Sequence, residues 1–148
     1  MTKELFADSN EFSAMVDLIE SWTNDPANVK PAFIQLRDAV AEKDNVVLYF
    51  KSRPGISHSF RGHVPAAGGD ADRLFVMVDI VDDDPENRWL SVCFYGDMIH
   101  DPDEAGDLVP GGLLGEDGYC FDLYENDADV AAYLLARISE AHQHSLAH

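Results

Sequence analysis

Hydrophobic side chains recur every three to four residues near both ends of the chain and tend to alternate in its middle. The helical spacing predicts three amphipathic helices. The first covers residues 9–22. The second follows the break at 24–26, with its regular part beginning at Pro31 and ending near Lys43, and the third covers 127–142.

The middle of the chain contains five short β-rich runs, each bounded by turn residues. They predict strands at 46–52, 56–63, 73–81, 89–98 and 119–124. The connection at 82–87 is too short for a crossover helix, which indicates antiparallel pairing. The order α-α-β-β-β-β-β-α therefore predicts one α+β domain over residues 1–148, a two-layer sandwich with the helices packed on one face of an antiparallel meander sheet.

Residues 97–118 form the longest stretch without a periodic pattern, and they include five glycines and two prolines. Long loops within compact domains often carry function. We therefore expect this glycine-rich segment to be an irregular loop that shapes a pocket or its rim.

Strand alternation divides the central strands into two rows. One row is aliphatic and belongs against the helices. The row on the opposite face, called the second face below, mixes apolar with polar groups, as ligand pockets and protein interfaces do. Together with the predicted fifth strand, it supplies the candidate pocket or interface residues Phe75, Met77, Asp79, Trp89, Ser91, Cys93, Tyr95, Cys120 and Asp122.

Such an apolar face needs a cover, and three covers are available: a second copy of the protein, the glycine-rich segment 97–118, or a bound small molecule. Homodimerisation is the leading expectation. Convergence of Cys93 and Cys120 with carboxylates would resemble a thiol or metal site, but buried cysteines usually act as small hydrophobic residues. The sequence therefore predicts no metal site and no cofactor.

Charge restricts the choice of partners. Acidic residues number 28 against 10 basic ones, giving a net charge of -18. Such a surface repels nucleic acids and anionic membranes, and its simplest role is solubility, with binding of a basic protein as an alternative. The start of the chain does not resemble a secretion signal. These features predict a cytoplasmic protein with Cys93 and Cys120 as reduced thiols.

The concentrated basic patch of the chain flanks the turn at 53–56. A small ligand's carboxylate or phosphate would suit such a patch, but pairing of Lys51, Arg53 and Arg61 with surface carboxylates is the favoured explanation. A two-residue hairpin loop would place Lys51 opposite His58. The candidate anion-binding residues are Lys51, Arg53, His58, Arg61 and His63.

None of the common phosphate-loop, nucleophile-elbow or zinc-helix motifs occurs in the sequence. The leading hypothesis is therefore a non-catalytic binding or interaction domain that self-associates through the second face. One alternative is a small enzyme with its pocket under the segment 97–118, using Asp79 or Asp122 as acid or base and Cys93 as nucleophile. Another is an acidic decoy that binds a basic protein.

Overall fold

The computed structural model describes residues 3–65 and 73–147. Three helices and a six-stranded antiparallel sheet form the α+β sandwich that the sequence predicts. The helices are α1 (Ser9–Ser21), α2 (Val29–Ala41) and α3 (Ala128–Ala147). The strands are β1 (Val47–Arg53), β2 (Ser57–His63), β3 (Leu74–Val81), β4 (Trp89–Tyr95), β5 (Asp107–Leu113) and β6 (Glu116–Leu123).

All three helices pack on the same face of the sheet. The ring of Phe33 in α2 lies 6.1 Å from that of Phe60 in β2, measured between centroids. Tyr133 in α3 lies 6.0 Å from Phe121 in β6. Phe6, just before α1, contacts Phe60 as well. This helix-covered face holds the core of the domain, and the second face lies on the other side of the sheet.

Strand β5 was not expected from the sequence. It lies within the glycine-rich segment 97–118, which is therefore not one irregular loop. Strand β5 pairs with β6 through a hairpin and forms the edge of the sheet, so that the strand order is β1-β2-β3-β4-β6-β5. The residues before it are tied to α3, since the backbone amide of His100 donates to the Glu140 carboxylate at 3.0 Å. The segment thus extends the sheet rather than folding over its second face.

The turn between β1 and β2 sets the register of the whole β1–β2 pair. Arg53 pairs with Ser57, so the loop has three residues rather than two, and Gly55 adopts a φ of 81° that favours glycine. This extra residue pairs Lys51 with Ser59 and Ser52 with His58. The expected pairing of Lys51 with His58 is wrong by one residue, which turns His58 towards the helices.

A β-bulge reverses the expected orientation of Phe75. The register between β2 and β3 shifts between Gly62 and His63. Phe75 is fully buried, and its ring lies 5.3 Å from that of His142 in α3. A side chain at Gly62 would collide with Phe75 and with Val40 of α2. Phe75 thus belongs to the helix-covered core, and its assignment to the second face is wrong because a bulge adds one residue to the alternation.

Candidate functional site

The strand register gathers most of the predicted interface residues into rows on the second face. One row crosses five strands and combines a lysine with hydroxyls and carboxylates: Lys51, Ser59, Asp79, Ser91 and Asp122. The neighbouring row crosses all six strands: Tyr49, Arg61, Met77, Cys93, Cys120 and Asp107. A third row ends in Trp89, whose ring lies 4.7 Å from that of Tyr124. Their role as an interface stays a prediction.

Asp79 occupies the middle of this face with an unsatisfied carboxylate. Its Oδ1 atom is buried and has no hydrogen-bond partner within the described residues. Burial raises the pKa of Asp79, and the opposing effects of a hydrogen bond with Ser59 and of the charges of Arg61 and Arg53 do not cancel the increase. A buried acceptor without a donor costs free energy, so this position favours a partner that brings a donor.

We expect the Asp79→Asn variant to be more stable than the wild type at neutral pH. A raised pKa means that the folded state holds the proton more tightly than the unfolded state, so stability falls as the pH rises above the ordinary carboxyl value of about 4. Asparagine does not titrate and should remove that fall. Urea unfolding of dilute protein at a series of pH values measures it.

The control for this experiment is Asp122→Asn, an exposed carboxylate in the same row. At an exposed position, it should change the free energy of unfolding by about 0.5 kcal/mol or less. A wild-type profile that does not fall with rising pH, or an Asp79→Asn profile that follows the wild type, would contradict this account of Asp79.

The two cysteines form a disulfide between neighbouring strands. Cys93 in β4 and Cys120 in β6 are directly opposite each other, with their Cα atoms 4.2 Å apart. The expectation of two reduced thiols is therefore wrong for this structure. Cysteines that face each other across an antiparallel pair are close enough to bond, which a separation of 27 residues along the chain does not reveal. Because both sulfurs are bonded, neither offers a thiolate as nucleophile or metal ligand.

The predicted basic patch is divided between the two faces of the sheet. Lys51, Arg53, Arg61 and His63 follow the parity of the second face. Lys51 pairs with Glu11 at 2.7 Å, while Arg61 donates to the Ser59 hydroxyl at 3.0 Å. His58 lies on the other face and is buried. The five residues therefore do not form one anion-binding patch.

A buried network around Asp82 was missed in the sequence, where residues 82–86 look like a solvated turn. Arg88 Nε donates to Asp82 Oδ1 at 2.7 Å, and His58 Nε2 lies 2.8 Å from Asp82 Oδ2. Burial alone would raise the pKa of Asp82, but hydrogen bonds from Arg88 and His58 outweigh burial and hold the pKa below its usual value. Only the β1–β2 register, which turns His58 inward, reveals this pairing.

The Asp82 network also reaches the hydroxyl of Ser52, which lies 3.0 Å from His58 Nδ1. A carboxylate can only accept, so His58 Nε2 carries a proton and donates it to Asp82. Serine hydrolases use this order of groups together with backbone donors that stabilise an oxyanion. Here the backbone amide of Gly55 in the adjacent turn already donates to the Asp82 carboxylate, and that of Ile56 donates to the backbone carbonyl of Arg53. The network therefore fixes the end of the sheet.

Comparison with protein-family models, curated proteins and solved structures found no match to this chain. The interpretation of the site therefore depends on its own geometry.

A cavity of about 500 Å³ opens at one end of the sheet, beside the glycine-rich segment. Its lining combines carboxylates with one guanidinium and two larger side chains, and consists of Arg73, Gly96, Asp97, Leu108, Glu116, Asp117 and Tyr119. Arg73 binds the carboxylates of Asp97 and Glu116. Neither Asp79 nor Asp122 lines this cavity, so the acid or base of the enzyme hypothesis does not meet the predicted pocket.

Over 3–65 and 73–147, three or more His, Cys, Asp or Glu side chains nowhere cluster as metal ligands would. Within the same residues, no helix combines the length and apolar composition needed to cross a bilayer.

Proposed function

We propose that this protein is a non-catalytic interaction domain that self-associates through its second face. The observation that carries the proposal is the one-sided architecture: every helix packs on the opposite face. The centre of the second face is apolar, with Met77 beside the Cys93–Cys120 disulfide, and both Met77 and Cys93 are 7% exposed in a single copy. A partly apolar surface with few charges at its centre is typical of protein interfaces.

The sheet edges favour association through the face. The outer edge of β1 is already occupied, because the Leu48 carbonyl accepts from Ala7 at 3.3 Å and the Phe50 amide donates to Glu11 at 2.7 Å. The other edge, β5, contains Pro110, which lacks an N–H, and its register is interrupted after Val109. Proline and bulges discourage strand addition at edges.

The size and charge of the protein indicate a weak dimer. Six strands spaced about 4.8 Å apart and about seven residues long make a face with a planar area of roughly 500–600 Å², at the small end of what a specific interface needs. The net charge of -18 on each copy opposes association. Because screening acts mainly on long-range repulsion, raising salt from ~0.01 M to ~0.15 M should strengthen the dimer.

Sedimentation velocity from ~1 µM to ~100 µM tests this proposal. We expect a monomer–dimer equilibrium, weakened by Met77→Lys, which places a charge in the apolar centre. Because Met77 is only 7% exposed in one copy, circular dichroism must first establish that this variant is folded. Leu146→Lys adds the same charge to an exposed position on α3 and should leave the equilibrium unchanged. A monomer at every concentration and salt level would refute self-association.

A further inference from the structure

Given the proposed self-association, on which this inference rests, the layout of charges on the second face determines how two copies fit together. The two central strands, β3 and β4, carry one charged residue on this face, Asp79. Strands β1 and β2 contribute Arg53 and Arg61, which donate to the hydroxyls of Ser57 and Ser59. On the opposite flank, β6 and β5 contribute carboxylates, Asp122 and Asp107.

We infer that two copies pack face to face around a two-fold axis that runs parallel to the strands and passes between β3 and β4. This rotation exchanges left and right across the sheet, so the β1–β2 half of each copy lies over the β6–β5 half of the other. The positive flank of each copy then meets the negative flank of its partner twice, because a two-fold interface repeats every contact.

The alternative two-fold axis, perpendicular to the strands, places each flank over its own counterpart. An axis along the row of Arg61 would place Arg61 opposite Arg61 of the second copy, and an axis along the row of Asp122 would place Asp122 opposite Asp122. Like charges in a desolvated interface are strongly unfavourable. The charge layout therefore favours the axis parallel to the strands.

The inferred axis also matches the apolar and polar groups. Strand β3 lies over β4 of the second copy, so Met77 packs near the Cys93 end of that copy's disulfide, and Val81 lies near its Trp89. Strand β2 lies over β6 of the second copy, which places Arg61 over Cys120, about 7 Å along the strand from Asp122. Apolar contacts thus occupy the centre and ion pairs the rim, as in other protein interfaces.

Charge reversal at Arg61 and Asp122 tests this arrangement. Within one chain, these residues are separated by three strand spacings, about 14 Å, so a direct ion pair between them can form only between copies. We expect Arg61→Asp and Asp122→Arg each to weaken the dimer about tenfold or more. The double variant should restore the dissociation constant to within about threefold of the wild type, since each copy again presents opposite charges.

Matched controls separate this local effect from the change in net charge. Lys3→Asp matches the change in net charge of Arg61→Asp, and Glu86→Arg matches that of Asp122→Arg, both at exposed positions outside the face. Neither control should weaken the dimer as the matched face variant does. Circular dichroism and thermal melting establish that each variant is folded. Asp122 is exposed, so Asp122→Arg keeps the test valid even if Arg61→Asp fails to fold.

The outcomes distinguish the arrangement from the proposed function. If the dimer persists in both single variants, the inferred axis is wrong while self-association stands. If both single variants lose the dimer and the double variant does not recover it, the pairing of Arg61 with Asp122 is wrong. If neither the wild type nor any variant dimerises, self-association itself is refuted.

Discussion

Replacing Asp82 with alanine should lower the free energy of unfolding by about 3–5 kcal/mol. The Asp82 carboxylate satisfies two buried groups, the Arg88 guanidinium and the His58 imidazole. Its removal leaves the arginine charge buried without a counter-charge, which is the costly way to break a buried ion pair. Urea unfolding monitored by tryptophan fluorescence measures the loss.

The pH dependence of this effect has a defined sign. The pKa of Asp82 is lowered in the folded state, so its stabilising contribution is present above the ordinary aspartate value of about 4 and is lost as the pH falls through the lowered pKa. The difference between wild type and Asp82→Ala should therefore shrink in acid. Asp83→Ala, at an exposed neighbouring position, is the control and should change stability by about 0.5 kcal/mol or less. Equal effects of the two substitutions would contradict the network.

Phe75→Ala should destabilise the protein by about 3–5 kcal/mol, because it removes a fully buried ring beneath α3 and leaves a cavity. Met77→Ala, two residues further along β3, truncates a side chain that is 7% exposed on the second face, so it should weaken self-association in addition to its own cost in monomer stability. Urea unfolding and sedimentation of the two variants separate these effects. If Phe75→Ala weakened the dimer while Met77→Ala caused the larger loss of monomer stability, the bulge assignment would be wrong.

Helical periodicity and short turn-bounded runs were sufficient to predict the three helices and most of the sheet. Strand β5 was missed because Asp107–Leu113 contains Pro110 and two glycines, which resemble loop residues. Such an edge strand is held by its pairing with β6 rather than by its own propensity.

The candidate site was predicted less well because it depends on register, which is a tertiary property. One additional turn residue moved His58 from the second face into the Asp82 network, and one bulge moved Phe75 into the core. The disulfide likewise depends on Cys93 and Cys120 being opposite each other. Alternation alone placed Met77, Asp79 and Ser91 together because β3 and β4 pair without a bulge over these residues.

The central claim, that the second face is buried against a second copy, is tested most directly by methyl NMR of the methionines during dilution. Met77 lies on the second face and is 7% exposed in one copy, whereas Met15 lies in α1 on the helix-covered side and is 1% exposed. We predict that dilution shifts the Met77 methyl resonance along a monomer–dimer binding curve while that of Met15 stays fixed. An unchanged Met77 resonance across the whole concentration range, or a shift confined to Met15, would contradict the account.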